Sequence, residues 1–171
     1  MTNKNEYLLK ISIFGNNTKI NLKFGRLTAD NVFDTDYLPT HGVDIPTKKI
    51  DVDNNQVTLI LVIIAGEEFF GKQRSSYYRG SVAGIILFEK NDRKAFTKVT
   101  TFHKEFKKVI SSPIPIAVVG IKAETEAITT EEGKQLAKKL NSHYFETEIT
   151  DNTQIEEILR ILAKQVISSD K

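Results

Sequence analysis

The chain contains no cysteine, which excludes disulfides, thiolate nucleophiles and cysteine-ligated zinc. Its three histidines, His41, His103 and His143, are widely separated and make a poor metal set. No apolar run approaches the roughly 18 residues of a membrane span. The opening MTNKNEYLLK carries no apolar stretch before its first strand, and the closing VISSDK offers neither a cysteine for prenylation nor a basic tail. Thr2 stands where N-myristoylation needs a glycine. These absences point to a cytoplasmic protein with no membrane anchor of its own, which a partner would have to recruit to any membrane. Neither sign of charge dominates: 24 basic and 22 acidic residues leave a net charge of +2, too weak and dispersed to argue for nucleic acid. Lys104, Lys107 and Lys108 read as the solvated face of a helix.

At 171 residues and 40% hydrophobic, the chain is long enough for one well-buried core and short for two. We expect a single domain over 1–171, with flexible ends at 1–6 and 168–171. Tyr7 to Phe14, dense in β-branched and aromatic residues, predicts a strand broken by Gly15, Asn16 and Asn17. A short helix or loop through Lys23 and Phe24 follows, then a polar connection containing Asp30, Asp34 and Asp36. Val43 to Val52 and Gln56 to Ile64 flank an Asp-Asn-Asn turn signal and predict a hairpin. The apolar runs Val82 to Phe88 and Ile114 to Gly120 suit strands covered on both faces. Between them, Phe96, Val99, Phe102, Phe106, Val109 and Ile110 form one stripe of a helix over Asp92 to Ile110. A second helix spans Thr130 to Leu140, with Thr129 or Thr130 as cap and Glu131 and Glu132 in the first turn. His143 to Thr147 is a short strand and Thr153 to Ile167 a last amphipathic helix. The order predicts an α/β fold: a six-stranded, mostly parallel sheet with one antiparallel edge strand and helices on both faces. Ligands in such folds sit beyond the carboxyl ends of the strands. Here those ends are Gly15 to Lys23, the loop through Thr40, Ala65 to Phe70, Gly120 to Glu124, and Thr147 to Asp151.

Four segments, read together, resemble a known family: Pro39-Thr40-His41-Gly42-Val43-Asp44, Ala65-Gly66-Glu67-Glu68-Phe69, Ser75-Ser76-Tyr77-Tyr78-Arg79-Gly80, and Thr130 to Ala137 (TEEGKQLA). With Asp92 to Phe96, Val119 to Lys122 and Phe145-Glu146-Thr147, they are similar to a Ras-superfamily small GTPase of the Rab branch. The resemblance runs from about Tyr7 to Ile167 and implies a small-GTPase-like fold of the P-loop NTPase type.

The ligand-contacting positions depart from that family repeatedly. Its phosphate loop, G-x-x-x-x-G-K-[ST], presents backbone N–H groups, a lysine and a magnesium-binding hydroxyl. Counting from Gly15 puts Ile20, Asn21 and Leu22 at the last three positions; a loop shortened by two residues puts Lys19 at the lysine. Thr40 matches the switch threonine. Where the family has D-T-A-G-Q, the chain has Ile63-Ile64-Ala65-Gly66-Glu67, without the aspartate that holds magnesium-bound water. N-K-x-D becomes Ile121-Lys122-Ala123-Glu124, and S-A-K becomes Glu148-Ile149-Thr150. Isoleucines 20, 63 and 121 are suited to filling a site where a charged nucleotide is costly to desolvate.

What the resemblance then implies is a pseudo-GTPase: no enzymatic activity, no catalytic or metal-binding residues, no cofactor, and a role as a protein-interaction module or complex subunit in trafficking or signalling. Ile45, Phe69, Phe70, Tyr77 and Tyr78 are the partner-binding candidates on the switch-equivalent surface. The alternative is weak binding of GTP or GDP, with or without Mg2+, and little or no hydrolysis. Gly15, Lys19, Thr40, Gly66, Lys122 and Glu124 would contact that nucleotide.

Overall fold

The structure, a computed structural model, describes residues 3–30 and 41–170. Alternation along β1 (Glu6–Gly15) sends Leu9, Ile11 and Ile13 to one face and Phe14 to the other, so the strand feeds two apolar layers. It pairs in parallel with β4 (Asn55–Ile64) and with β5 (Ala83–Glu89), and the sheet continues in parallel through β6 (Ile116–Ile121) to β7 (His143–Thr147). The far edge of β4 is antiparallel, made by β2 (Val43–Asp44) and β3 (Thr47–Val52). These two short segments share one strand position, so the sheet has the expected six, with its antiparallel member at the edge.

The sequence predicts one strand from Val43 to Val52, and Pro46 divides it. A proline cannot donate to the ladder, yet its carbonyl still accepts the Leu61 N–H at 2.9 Å. The β3–β4 turn places Asp53 and Asn54 at φ 47° and 66° between the paired Val52 and Asn55. Positive φ at both central residues is the two-residue hairpin geometry, and Asp and Asn tolerate it best after glycine. The outer edge of β3 is blunted by the chain itself. The Thr47 carbonyl accepts the Asp30 N–H, the Lys49 N–H goes to the Asp30 carboxylate, and the Asp51 carbonyl accepts from Arg160.

Helices α1 (Thr18–Leu27) and α5 (Asn152–Ser169) cover one face of the sheet; α3 (Arg93–Val109) and α4 (Thr130–Lys139) cover the other, with Tyr78 of the short α2 (Gly71–Tyr78). Each long helix starts where a side chain satisfies orphan N–H groups: Asn17 for α1, Asp92 for α3, Asp151 for α5, and a reciprocal Thr129–Glu132 capping box for α4. Burial of each aliphatic side chain in these layers contributes about 1.5–3 kcal/mol. Helix α2 has no apolar periodicity and no sequence signal predicted it. None of the described helices is long and apolar enough to cross a membrane.

Candidate functional site

The segment after β1 bears on the register that the sequence left open. α1 begins at Thr18, directly after the capping Asn17, and Leu22 is buried in the core, whereas Lys19 is exposed in the first helical turn. This placement accords with the shortened loop, in which Lys19 would take the place of the family's lysine, since the full-length count would put Asn21 and Leu22, both buried, at the lysine and the hydroxyl. The donors that would cradle phosphate are engaged by the chain. Asn17 Oδ1 accepts from Lys19 N and Ile20 N at 3.1 and 3.3 Å. Thr18 Oγ1 accepts the Gly66 N–H at 2.9 Å and donates to the Glu67 carboxylate at 2.6 Å. Buried Asn21 donates through Nδ2 to the carbonyls of Gly15 and Ile64, both at 3.0 Å, tying the ends of β1 and β4 together. Gly66 lies so close to this loop that a Cβ there would stand 2.1 Å from the Gly15 carbonyl oxygen and 2.6 Å from that of Asn16.

These residues do not fit a magnesium-bound triphosphate. Ile63, at the family's magnesium aspartate, is 1% exposed and packs on α1, where a Cβ on Gly25 would meet its Cδ1 at 2.4 Å. Ile121 is likewise in the core, and Ile20 packs against its margin. What remains is a cleft of about 420 Å³, its described walls including Asn17, Thr18, Lys19, Ile63, Glu67 and Phe70. A carboxylate at the helix start, beside a single exposed lysine, opposes a polyanion. Thr40 lies outside the described residues.

On the base-recognition side, Lys122 and Glu124 are both exposed, at the start of the loop after β6. This loop is held from beneath by Lys90, which is 2% exposed and which the sequence reading missed. Its ammonium meets Glu126 at 2.8 Å and Glu146 at 2.7 Å, while its carbonyl accepts from Ala127 and Ile128. Burial works against the Lys90 charge, but the hydrogen bonds to Glu126 and Glu146 outweigh it and raise the pKa above the usual lysine value. Burial also works against the Glu146 charge, and donation from Lys90, Tyr144 and Thr130 brings that carboxyl below the usual range. Gly15 and Gly66 meet at the cleft, while Lys122 and Glu124 belong to this second loop.

The five partner-binding candidates divide. Phe69 is 81% exposed and Ile45 52% exposed. Phe70 stands edge-on to Phe69 at 5.0 Å and packs beneath Gly42, whose φ of +75° and close approach to the ring leave no room for a side chain. Tyr77 is half-buried and donates to the His41 carbonyl at 3.0 Å. Tyr78 corrects the expectation: it is fully buried between Phe14 and Phe106 and donates to Glu105, because this side of α2 faces α3. Arg74, also missed, is the rivet of this region. It is 5% exposed, bonds the carbonyls of Ala65 and Glu67 at 3.2 and 2.7 Å, grips both oxygens of Glu105, and lies over the Phe102 ring. The only available signal for Thr18 was the Asn-Thr pair at a helix start; Arg74 and Lys90 carry none, since their partners come from distant segments.

Comparison with known proteins places this geometry in its family. The profile of the Ras family matches residues 18–168, beginning at the first residue of α1. The GTP-binding protein YPT1 of Saccharomyces cerevisiae is 28% identical over 176 residues, covering 99% of this chain and 84% of that protein. The Ras-related protein Rab-11B of Dictyostelium discoideum is 30% identical over 154 residues, 88% of this chain and 70% of that protein. The Ras-related protein RABE1e of Arabidopsis thaliana is 25% identical over 169 residues, 94% of this chain and 76% of that protein. The expectation of a chain without enzymatic activity is corrected by these matches, because the relatives belong to a family of active GTPases. From the Ras-family match across both sheet faces and the Rab-named relatives, it follows that the chain belongs to the Ras family and is Rab-like within it.

Proposed function

We propose that this chain is a Rab-like protein-interaction module, or a subunit of a trafficking or signalling complex, whose switch-equivalent surface takes its shape from its own side chains. The observation that carries this reading is the Thr18 hydroxyl on the Gly66 N–H. In GTPases the terminal phosphate and its magnesium order the switch segments. Here a side chain occupies the backbone donor on that turn, and Arg74 ties the following carbonyls to α3. Phe69 and Ile45 then stand exposed on a frame that needs no ligand to hold it. A cytoplasmic setting, with membrane recruitment supplied by a partner, belongs to the same reading.

One observation favours a second reading. Lys19 is exposed at the cleft, where it supports weak binding of GTP or GDP by phosphate contact. Calorimetric titration of nucleotide-stripped protein with GTP and GDP, with and without magnesium, read together with partner capture, separates the two. The first reading expects equal capture of partners from extract with either nucleotide in excess, whatever heat the titration shows. Micromolar or tighter magnesium-dependent binding that gates capture overturns it.

A further inference from the structure

At the amino-terminal ends of β6 and β7, opposite the cleft, α4, α5 and the segment before β6 enclose a groove of about 650 Å³. Its apolar lining includes Pro113, Ile114, Pro115, Ile116, Ala137 and Tyr144. One wall carries Lys134 and Lys138, one helical turn apart and both exposed. Neither has an ion-pair partner among the described residues, and no described carboxylate lines the groove. The opposite wall is neutral and polar, with Gln165 bonded to the His143 ring at 2.8 Å.

We propose that this groove binds an extended acidic peptide segment of a partner protein, with carboxylates at alternate positions. Residues four apart on a helix hold their Cβ atoms about 5–6 Å apart. Alternate residues of an extended chain lie about 6.6–6.8 Å apart. Two carboxylates at i and i+2 therefore come within reach of the two flexible lysine side chains, while the residues between and beside them, which point the other way, are left to the rest of the groove. An exposed ion pair contributes little by itself, so the apolar contact sets residence and the lysines set selectivity. A compact anion would use the lysines and leave the apolar surface uncovered.

The test is a titration of the isotopically labelled full chain with a synthetic peptide of alternating leucine and glutamate, followed by amide chemical shifts. The control peptide carries glutamine for glutamate. The expected result is saturable shifts around Lys134, Lys138 and His143, a loss of affinity of about tenfold or more in Lys134→Glu/Lys138→Glu, and weak response to the control. Both lysines are exposed; an unchanged melting temperature shows that the variant is folded, and Lys134→Gln/Lys138→Gln serves if it is not. Absence of shifts here, shifts that survive charge reversal, or equal binding of the glutamine peptide overturns the proposal. So does inorganic phosphate giving the same shifts at the same concentration, or binding to anionic vesicles without binding to the peptide. The groove lies away from the switch-equivalent surface, so the outcome is independent of nucleotide and of partner capture there.

Discussion

Thr18 Oγ1 accepts the Gly66 N–H at 2.9 Å, joining the first residue of α1 to the turn that follows β4. Thr18→Val keeps the shape and removes the acceptor, leaving a buried donor unpaired. We expect a loss of about 1–2 kcal/mol in urea unfolding. Hydrogen exchange should quicken at Gly66 while the α4 amides keep their protection.

Arg74→Ala leaves the Glu105 carboxylate with the Tyr78 hydroxyl but no opposite charge, and frees two carbonyls at once. Removing one partner of a largely buried pair costs about 3 kcal/mol. Arg74→Lys restores charge without the planar fork and should recover only part of this. In both variants proteolysis within 67–73 should accelerate; a cleavage rate equal to wild type would count against Arg74 as the rivet.

Gly25 and Ile63 should behave as a coupled pair. Gly25→Ala forces a methyl to within 2.4 Å of Ile63 Cδ1, an overpacking that costs about 1–3 kcal/mol. In an Ile63→Ala background the same substitution escapes that clash and meets only Ile13 Cδ1 at 3.3 Å, so it should cost far less. A double-mutant cycle measures the difference, and strictly additive effects would exclude the contact.

Glu132 is held at a pKa of about 2, first by the Arg93 hydrogen bond and then by the Thr129 N–H. A carboxyl depressed on folding stabilises above its unfolded value, near 4.5, and that contribution fades as pH falls toward the folded value of about 2. Glu146 is shifted in the same direction. Urea midpoints should therefore fall with pH below about 4.5, and Glu132→Gln should flatten part of that slope. Because Glu132 is at the surface, added salt should shrink the effect.

The sheet and three of its helices were legible because their signals are local. Unbroken apolar runs gave β5 and β6, the Phe96-to-Ile110 stripe gave α3, and Thr129 or Thr130 with Glu131 and Glu132 marked the start of α4. Helix α2 was hidden because GKQRSSYY has no apolar face of its own, and it is held chiefly through Arg74 and Tyr78. The sequence SSYYRG also does not say which tyrosine points inward; only the Phe14 and Phe106 rings decide it. The register after Gly15 depended on where Leu22 packs, and the burial of Lys90 on two glutamates supplied by other segments. The family likeness carried the fold, whereas the departures at the ligand-contacting positions misdirected the enzymatic expectation, because missing ligand contacts at a site do not remove a chain from a catalytic family.

Asn21 gives the shortened loop a kind of memory. Its amide is buried and shared between the Gly15 and Ile64 carbonyls, so inserting two residues to rebuild a full phosphate loop would pull one acceptor away and leave a polar group stranded in the core. Replacing Asn21 first would loosen the join while the loop was still short. Each single step toward a longer loop is thus uphill in stability, so the ends of β1 and β4 stay joined for as long as Asn21 is in place.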